Sequence, residues 1–237
     1  MESPTSRCLA LTPPADAKPA VFKGLRRVPG LAALLLLAPL FAPPAGAAPA
    51  PTLTVGARTL SLCNAADVGY CGTLGRALDP SGAVPGTLRV GFEFYPRRNQ
   101  SLPSLGTILP QEGGPGYSTS GSRDFYLGLF DALRDRRDIL IIDKRGTGKS
   151  AAIDCPALQL GATDFGAVGD CAAQLGKSSW LYGTRFAVDD IVAVLDVLAL
   201  PEVDFYGDSY GTFVGQVMAA LYPHRLRSIV LDSAYPV

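Results

Sequence analysis

Val203-Asp204-Phe205-Tyr206-Gly207-Asp208-Ser209-Tyr210-Gly211 is the stretch whose reading decides the fold. Val203–Tyr206 reads as a short strand, and Tyr210–Leu221 reads as an apolar helix. Between them stands a G-x-S-x-G pentapeptide. A sharp strand-to-helix turn of this kind holds a serine Oγ up at the carboxyl edge of a sheet. The two glycines are needed because a side chain at either place would collide with neighbouring backbone. The pentapeptide by itself is a modest signal in a chain with 26 glycines, so the flanking strand and helix carry the reading.

Working outward, the same alternation of strand and helix recurs. Thr87–Tyr95 alternates as a half-buried strand does. Gly106–Leu109 is a short apolar run that ends in the turn Glu112-Gly113-Gly114-Pro115-Gly116. Asp124–Leu133 has helical spacing, with Phe125, Leu129, Ala132 and Leu133 on its apolar side. Asp138–Asp143 is an apolar run between acids, which suits a parallel strand buried on both faces. Thr184–Leu200 is the clearest helix. Its stripe is Ala187, Val188, Ile191, Val192, Leu195 and Leu198, with Thr184 as the expected N-cap and Pro201 as the stop. Arg227–Leu231 is one more strand. The pattern predicts an α/β protein with a doubly wound, mostly parallel sheet in which the Val203–Tyr206 strand is central.

The 237 residues suffice for one sizeable domain. Formal net charge is +0, with no dense basic stretch, so nucleic acid and polybasic membrane contacts are not expected. Residues 1–47 read as a signal peptide with an over-long start. Lys23, Arg26 and Arg27 precede the apolar Leu31–Phe41, and Ala45-Gly46-Ala47 is a cleavage-type tripeptide. The apolar stretch is shorter than the roughly 20 residues that span a bilayer. A secreted or cell-envelope protein with no stable membrane span after cleavage is therefore expected. Four cysteines remain in residues 48–237. Export favours disulfides, and of the three possible pairings the local ones, Cys63 with Cys71 and Cys155 with Cys171, close the shortest loops. No C-x-x-C spacing exists, which disfavours zinc; no metal or other cofactor is expected. Gly148-Lys149-Ser150 imitates the end of a phosphate-binding loop, but Asp143 stands where that loop needs glycine. A structural loop is the better reading.

An acyl-transfer serine needs a base, an acid to orient it, and donors for the oxyanion. Ser209 is the candidate nucleophile. The Tyr210 N–H, at the start of the following helix, is one candidate oxyanion donor. The glycine-rich turn after the Gly106–Leu109 strand is placed to supply the second. The chain has a single histidine, His224, and it lies about 18 Å of helical rise from Ser209. Asp232 ends the last predicted strand with no histidine to orient, and is read as structural.

G-G-P-G at Gly113–Gly116, D-x-R-G-x-G-x-S at Asp143–Ser150 and G-D-S-Y-G at Gly207–Gly211 occur in this order. Together they resemble the prolyl iminopeptidase and tripeptidyl aminopeptidase branch of the α/β-hydrolases, above all its exported actinobacterial members. Tyr70-Cys71-Gly72 and Asp154-Cys155-Pro156 add to the resemblance, which covers most of residues 52–237. It implies Ser209 as nucleophile and the Gly114 and Tyr210 N–H groups as oxyanion hole. Glu112 departs from the branch, whose iminopeptidases usually carry histidine before G-G-P-G. The resemblance further implies an α/β-hydrolase fold cut after about the sixth strand, with the cap, the late acid and the late histidine lying beyond Val237. The expected function is that of an exported serine hydrolase acting on a peptide or small ester, incomplete and inactive without a missing C-terminal half. A non-catalytic binding module and an esterase or lipase of the same fold are the alternatives.

Overall fold

Asp138–Ile142 is buried at each position because it runs through the middle of the sheet. Ile139 and Ile141 face one apolar cluster, while Leu140 and Ile142 face the other, as strand alternation requires. The computed structural model describes residues 50–159 and 165–235. Among them one sheet is formed by β1 (Thr52–Val55), β2 (Arg58–Asn64), β3 (Gly69–Ala77), β4 (Thr87–Tyr95), β5 (Thr107–Gln111), β6 (Asp138–Ile142), β7 (Val203–Asp208) and β8 (Leu226–Asp232). The order is β1-β2-β3-β4-β6-β5-β7-β8. The β6-β5-β7-β8 part is parallel and the β1 to β4 part is antiparallel.

Helices lie on both faces. The larger core packs α4 (Thr184–Val197) and α5 (Tyr210–Leu221) against β4, β5, β6 and β7 through Val188, Ile191, Leu195, Val214 and Met218. On the other face, Leu127 of α1 (Arg123–Leu129) meets Tyr95, Ile108, Ile139 and Ile141. Two further helices are α2 (Pro156–Gln159) and α3 (Phe165–Leu175); the second disulfide joins Cys155, just before α2, to Cys171 of α3. The doubly wound α/β architecture expected from the sequence is present, but among the described residues the Val203–Tyr206 strand lies beside the edge strand β8 and not at the centre of the sheet. The signal-peptide reading of residues 1–47 lies outside the described residues.

Three local readings are corrected. The sequence stripe on residues 124–133 names the wrong side: Phe125, Leu129 and Leu133 are exposed, and Tyr126 and Leu127 are buried. The helix also stops at Leu129, where the Phe130 N–H bonds both Tyr126 and Gly128 carbonyls, and a 3-10 turn follows. Thr184 is not the N-cap of α4. Gly183 holds that position, and the Thr184 hydroxyl pairs instead with the Tyr210 hydroxyl at 2.5 Å. The strands β1, β2 and β3 were not read from the sequence. They extend the sheet as an antiparallel meander on the side away from Ser209.

Both local cysteine pairs are formed, Cys63–Cys71 and Cys155–Cys171, each with a Cα separation of 5.7 Å. The first joins β2 to β3 beside a register shift between Leu62 and Asn64.

Candidate active site

The chain turns sharply between β7 and α5. Ser209 has φ 48° and ψ −119°, a conformation that a non-glycine residue takes at a cost of about 1–3 kcal/mol. Its surroundings hold it there. The Ser209 N–H donates to the Asp232 carbonyl at 3.0 Å, and the Ser209 carbonyl accepts from the Thr212 hydroxyl at 2.6 Å. A Cβ on Gly207 would lie 2.4 Å from the Gly211 carbonyl oxygen, and one on Gly211 would lie 2.0 Å from the Gln111 carbonyl oxygen. The elbow is thus pressed against the end of β5, and only glycine fits at both places.

That contact brings the β5 turn to the serine. A Cβ on Gly113 would sit 3.0 Å from the Ser209 Cβ and 3.4 Å from its Oγ. The Gly113 N–H is engaged by its neighbour, donating to Glu112 Oε1 at 2.8 Å. Gly114 follows with φ 109° and a cis bond to Pro115. The Tyr210 N–H opens α5 and has no acceptor within the helix. Ser209, Tyr210 and the Gly113-Gly114 turn therefore lie at the same end of β5 and β7.

Sequence reasoning did not find the acidic cluster under this turn. The Tyr126 hydroxyl lies 2.8 Å from Asp208 Oδ1 and 3.2 Å from Glu112 Oε2. Burial pushes the Asp208 carboxyl above the usual aspartate range, and the Glu112 charge adds to this against the Tyr126 hydrogen bond. Glu112 is also pushed up by burial, but hydrogen bonds from Ser122, the Gly113 N–H and Tyr126 bring it below its ordinary value. Lys144 donates to the Glu112 carbonyl at 2.8 Å, and burial lowers its ammonium to about 8 against the pull of Glu112, Asp143 and Asp208. Asp208 stood inside the quoted motif, but Tyr126 was hidden by the misread helix face.

The other candidates lie apart. His224 is exposed in the turn Pro223–Arg225, beyond the far end of α5. Asp232 ends β8, and its side chain accepts from the Tyr206 hydroxyl at 2.9 Å. Among the described residues, no hydrogen bond reaches the Ser209 Oγ. The Asp143–Ser150 loop closes on itself: the Asp143 carboxylate accepts from Ser120 N, Ser120 Oγ and Lys149 N at 2.8, 2.6 and 2.7 Å. The Lys149 N–H of this stretch is thus already taken by a carboxylate. Among the described residues, no group of three or more His, Cys, Asp or Glu side chains could hold a metal ion. No helix among them is long and apolar enough to cross a membrane.

The chain is similar to several known proteins. The serine protease Hip1 of Mycobacterium tuberculosis (strain H37Rv) is 28% identical over 195 residues, which cover 65% of this chain and 36% of Hip1. The Mycobacterium bovis Hip1 matches to the same extent. The chain thus spans little more than a third of the length of these relatives. Among solved structures, a probable hydrolytic enzyme from Pseudomonas aeruginosa PAO1 matches with TM-score 0.47 and 17% identity, over 68% of this chain and 40% of that one. A proline iminopeptidase from Mycobacterium smegmatis matches with TM-score 0.44 and 20% identity, over 67% of this chain and 42% of that one. The family model for the alpha/beta hydrolase fold matches residues 106–237, from the strand before the glycine-rich turn through the elbow and β8. With that match over more than half of its length, the chain belongs to the α/β-hydrolase fold family.

Proposed function

We propose that this chain carries the nucleophile and oxyanion side of an exported serine hydrolase of the aminopeptidase-like class. The observation that carries the reading is the left-handed conformation of Ser209 at the end of a strand paired in parallel on both sides, with the Gly113-Gly114 turn against it. In this reading, the Ser209 Oγ attacks the carbonyl of a peptide or small ester. The oxyanion is received by the N–H groups of Gly114 and Tyr210, the latter reinforced by the α5 dipole. The mycobacterial relative is a serine protease, which favours a peptide over an ester as substrate.

The base and its acid would be supplied by a C-terminal segment that adds to the sheet beyond β8. His224 does not serve, since about 18 Å of helix separates it from Ser209. In a related triad, losing the base costs on the order of 10⁶ in turnover. The chain alone is therefore expected to hydrolyse peptide p-nitroanilides at a near-background rate. Co-expression with a segment carrying a late Asp and His, taken from a longer relative, should restore turnover, and Ser209→Ala should abolish it. Restored turnover that survives Ser209→Ala would sink this reading. Ligand binding without turnover in the complemented protein would favour the non-catalytic alternative.

A further inference from the structure

The Tyr126 hydroxyl has one proton, yet it lies within hydrogen-bond distance of two carboxyl groups, Asp208 Oδ1 and Glu112 Oε2. A phenol can donate only once. If both carboxyls were ionised, one contact would set two acceptors against each other. Both contacts are bonding when one carboxyl keeps its proton and donates it to the phenol oxygen, while the phenol donates to the other. The two carboxyls belong to different parts of the site. Glu112 begins the glycine-rich turn and accepts from the Gly113 N–H, whereas Asp208 immediately precedes Ser209.

We propose that Asp208, Tyr126 and Glu112 form a protonated brace, Asp208 to Tyr126 to Glu112, that fixes the glycine-rich turn against the nucleophile elbow. These are positioning residues. They act through Gly113, and so through the adjacent Gly114 donor, and not on substrate. The inference rests on the hydrolase reading for its purpose, but its geometry stands without turnover.

The surroundings favour keeping the proton on Asp208. Burial raises that carboxyl, and the Glu112 charge and a hydrogen bond shared with Glu112 raise it further against the Tyr126 hydroxyl, while Glu112 has Ser122, the Gly113 N–H and Asp208 itself to hold its negative charge. Four other groups bear on the pair. Lys144, from the segment after β6, is tied to the Glu112 carbonyl, and Asp143 adjoins it. Tyr206 of β7 is pushed up to about 12 by burial, by Asp232 of β8, and by the charges of Asp208 and Glu112. The sign follows from the raised group. The brace is complete below the Asp208 titration and is lost as pH rises through it, when two carboxylates face one phenol.

Carboxyl-detected ¹³C NMR of the chain from pH 3 to 9 tests this directly, with the protection factor of the Gly113 amide followed alongside. Asp208 is expected to titrate above ordinary aspartates and to fall back towards them in Glu112→Gln. Gly113 protection is expected to drop about tenfold across the Asp208 titration, and to be equally low at every pH in Tyr126→Phe. The amides of Ile139–Ile142 report whether a variant is folded. If a variant is not, the two titrations in the unaltered chain decide alone. Asp208 titrating as an ordinary aspartate overturns the proposal, and so does Gly113 protection that does not follow it. Neither readout involves hydrolysis. A failure of Ser209-dependent turnover with the brace present would therefore remove the hydrolase reading and leave the brace, and the reverse result would do the opposite.

Discussion

At the scale of single residues, the elbow concentrates strain that its neighbours must balance. Ser209 is held left-handed by bonds at both its N–H and its carbonyl, and Gly211 is so close to the Gln111 carbonyl that a methyl group has no room. The clash is with backbone at the end of a buried strand, so it cannot be relieved by a side-chain rotation. Gly211→Ala is therefore expected to destabilise the chain by at least about 2 kcal/mol, through overpacking. Urea unfolding checks this as a lower midpoint at unchanged slope. An unchanged midpoint would mean that β5 and the elbow can separate enough to admit a methyl group.

At the scale of elements, buried charges tie strands to the segments that cross them. Glu93 of β4 is buried and receives Arg123 of α1 at 2.5 and 2.6 Å, the Tyr95 hydroxyl at 2.6 Å, and Lys149 from the Asp143–Ser150 loop. Burial pushes this carboxyl up, but the hydrogen bonds from Arg123, Lys149 and Tyr95 outweigh it and hold the group at about 2. A lowered carboxyl contributes stability that is present above its unfolded value, 4.5, and is lost as pH falls towards about 2. Because Arg123 and Lys149 are partly exposed, the contribution is on the order of 2 kcal/mol after solvent screening. Stability of the unaltered chain should fall between pH 5 and 2, as measured by urea midpoints. Glu93→Gln should be weaker at neutral pH and should lose less over that range. An acid limb of the same depth in the variant would assign the loss to other carboxylates. The disulfides act at this scale too. The Cys155–Cys171 bridge closes a 16-residue separation, and reducing it should cost up to about 3 kcal/mol in the chain-entropy account.

At the scale of the whole molecule, the sheet is finished differently at its two ends. At the β1 end the antiparallel meander is stapled by Cys63–Cys71. At the other end β8 pairs with β7 alone among the described residues and leaves Ile229 and Val230 substantially exposed, Val230 at 55%. Exposed apolar edge strands recruit other strands. The chain by itself is expected to self-associate as concentration rises, which sedimentation velocity would detect. Val230→Lys should shift it towards monomer, because a lysine on an edge strand opposes further pairing. A monodisperse, cooperatively unfolding monomer before that substitution would mean that the edge is already sufficiently covered. It would also remove the support for a segment adding beyond β8.

The sequence by itself determined the class of fold, the strand and helix that flank the elbow, the elbow at Gly207–Gly211 and the local pairing of four cysteines. Each of these is written in short-range signals: a steric need for glycine, a strand or helix period, or a short loop between cysteines. It did not determine the meander of β1 to β3. There the outward residues are polar and β3 holds glycine where its partner is aromatic. A Cβ on Gly72 would meet the Phe92 ring at 2.5 Å, so the apolar surface that stabilises β3 is supplied by β4. Nor did it determine which side of residues 123–129 is buried. Counting apolar residues favoured Phe125 and Leu129, yet the structure turns Tyr126 inward, because its ring packs near Tyr206 and its hydroxyl meets two carboxyls from other elements. The elbow could be read because one turn contains its constraint. The brace beside it depends on three residues from three elements, Glu112, Tyr126 and Asp208, and only the packing of α1 over the ends of β5 and β7 brings them together.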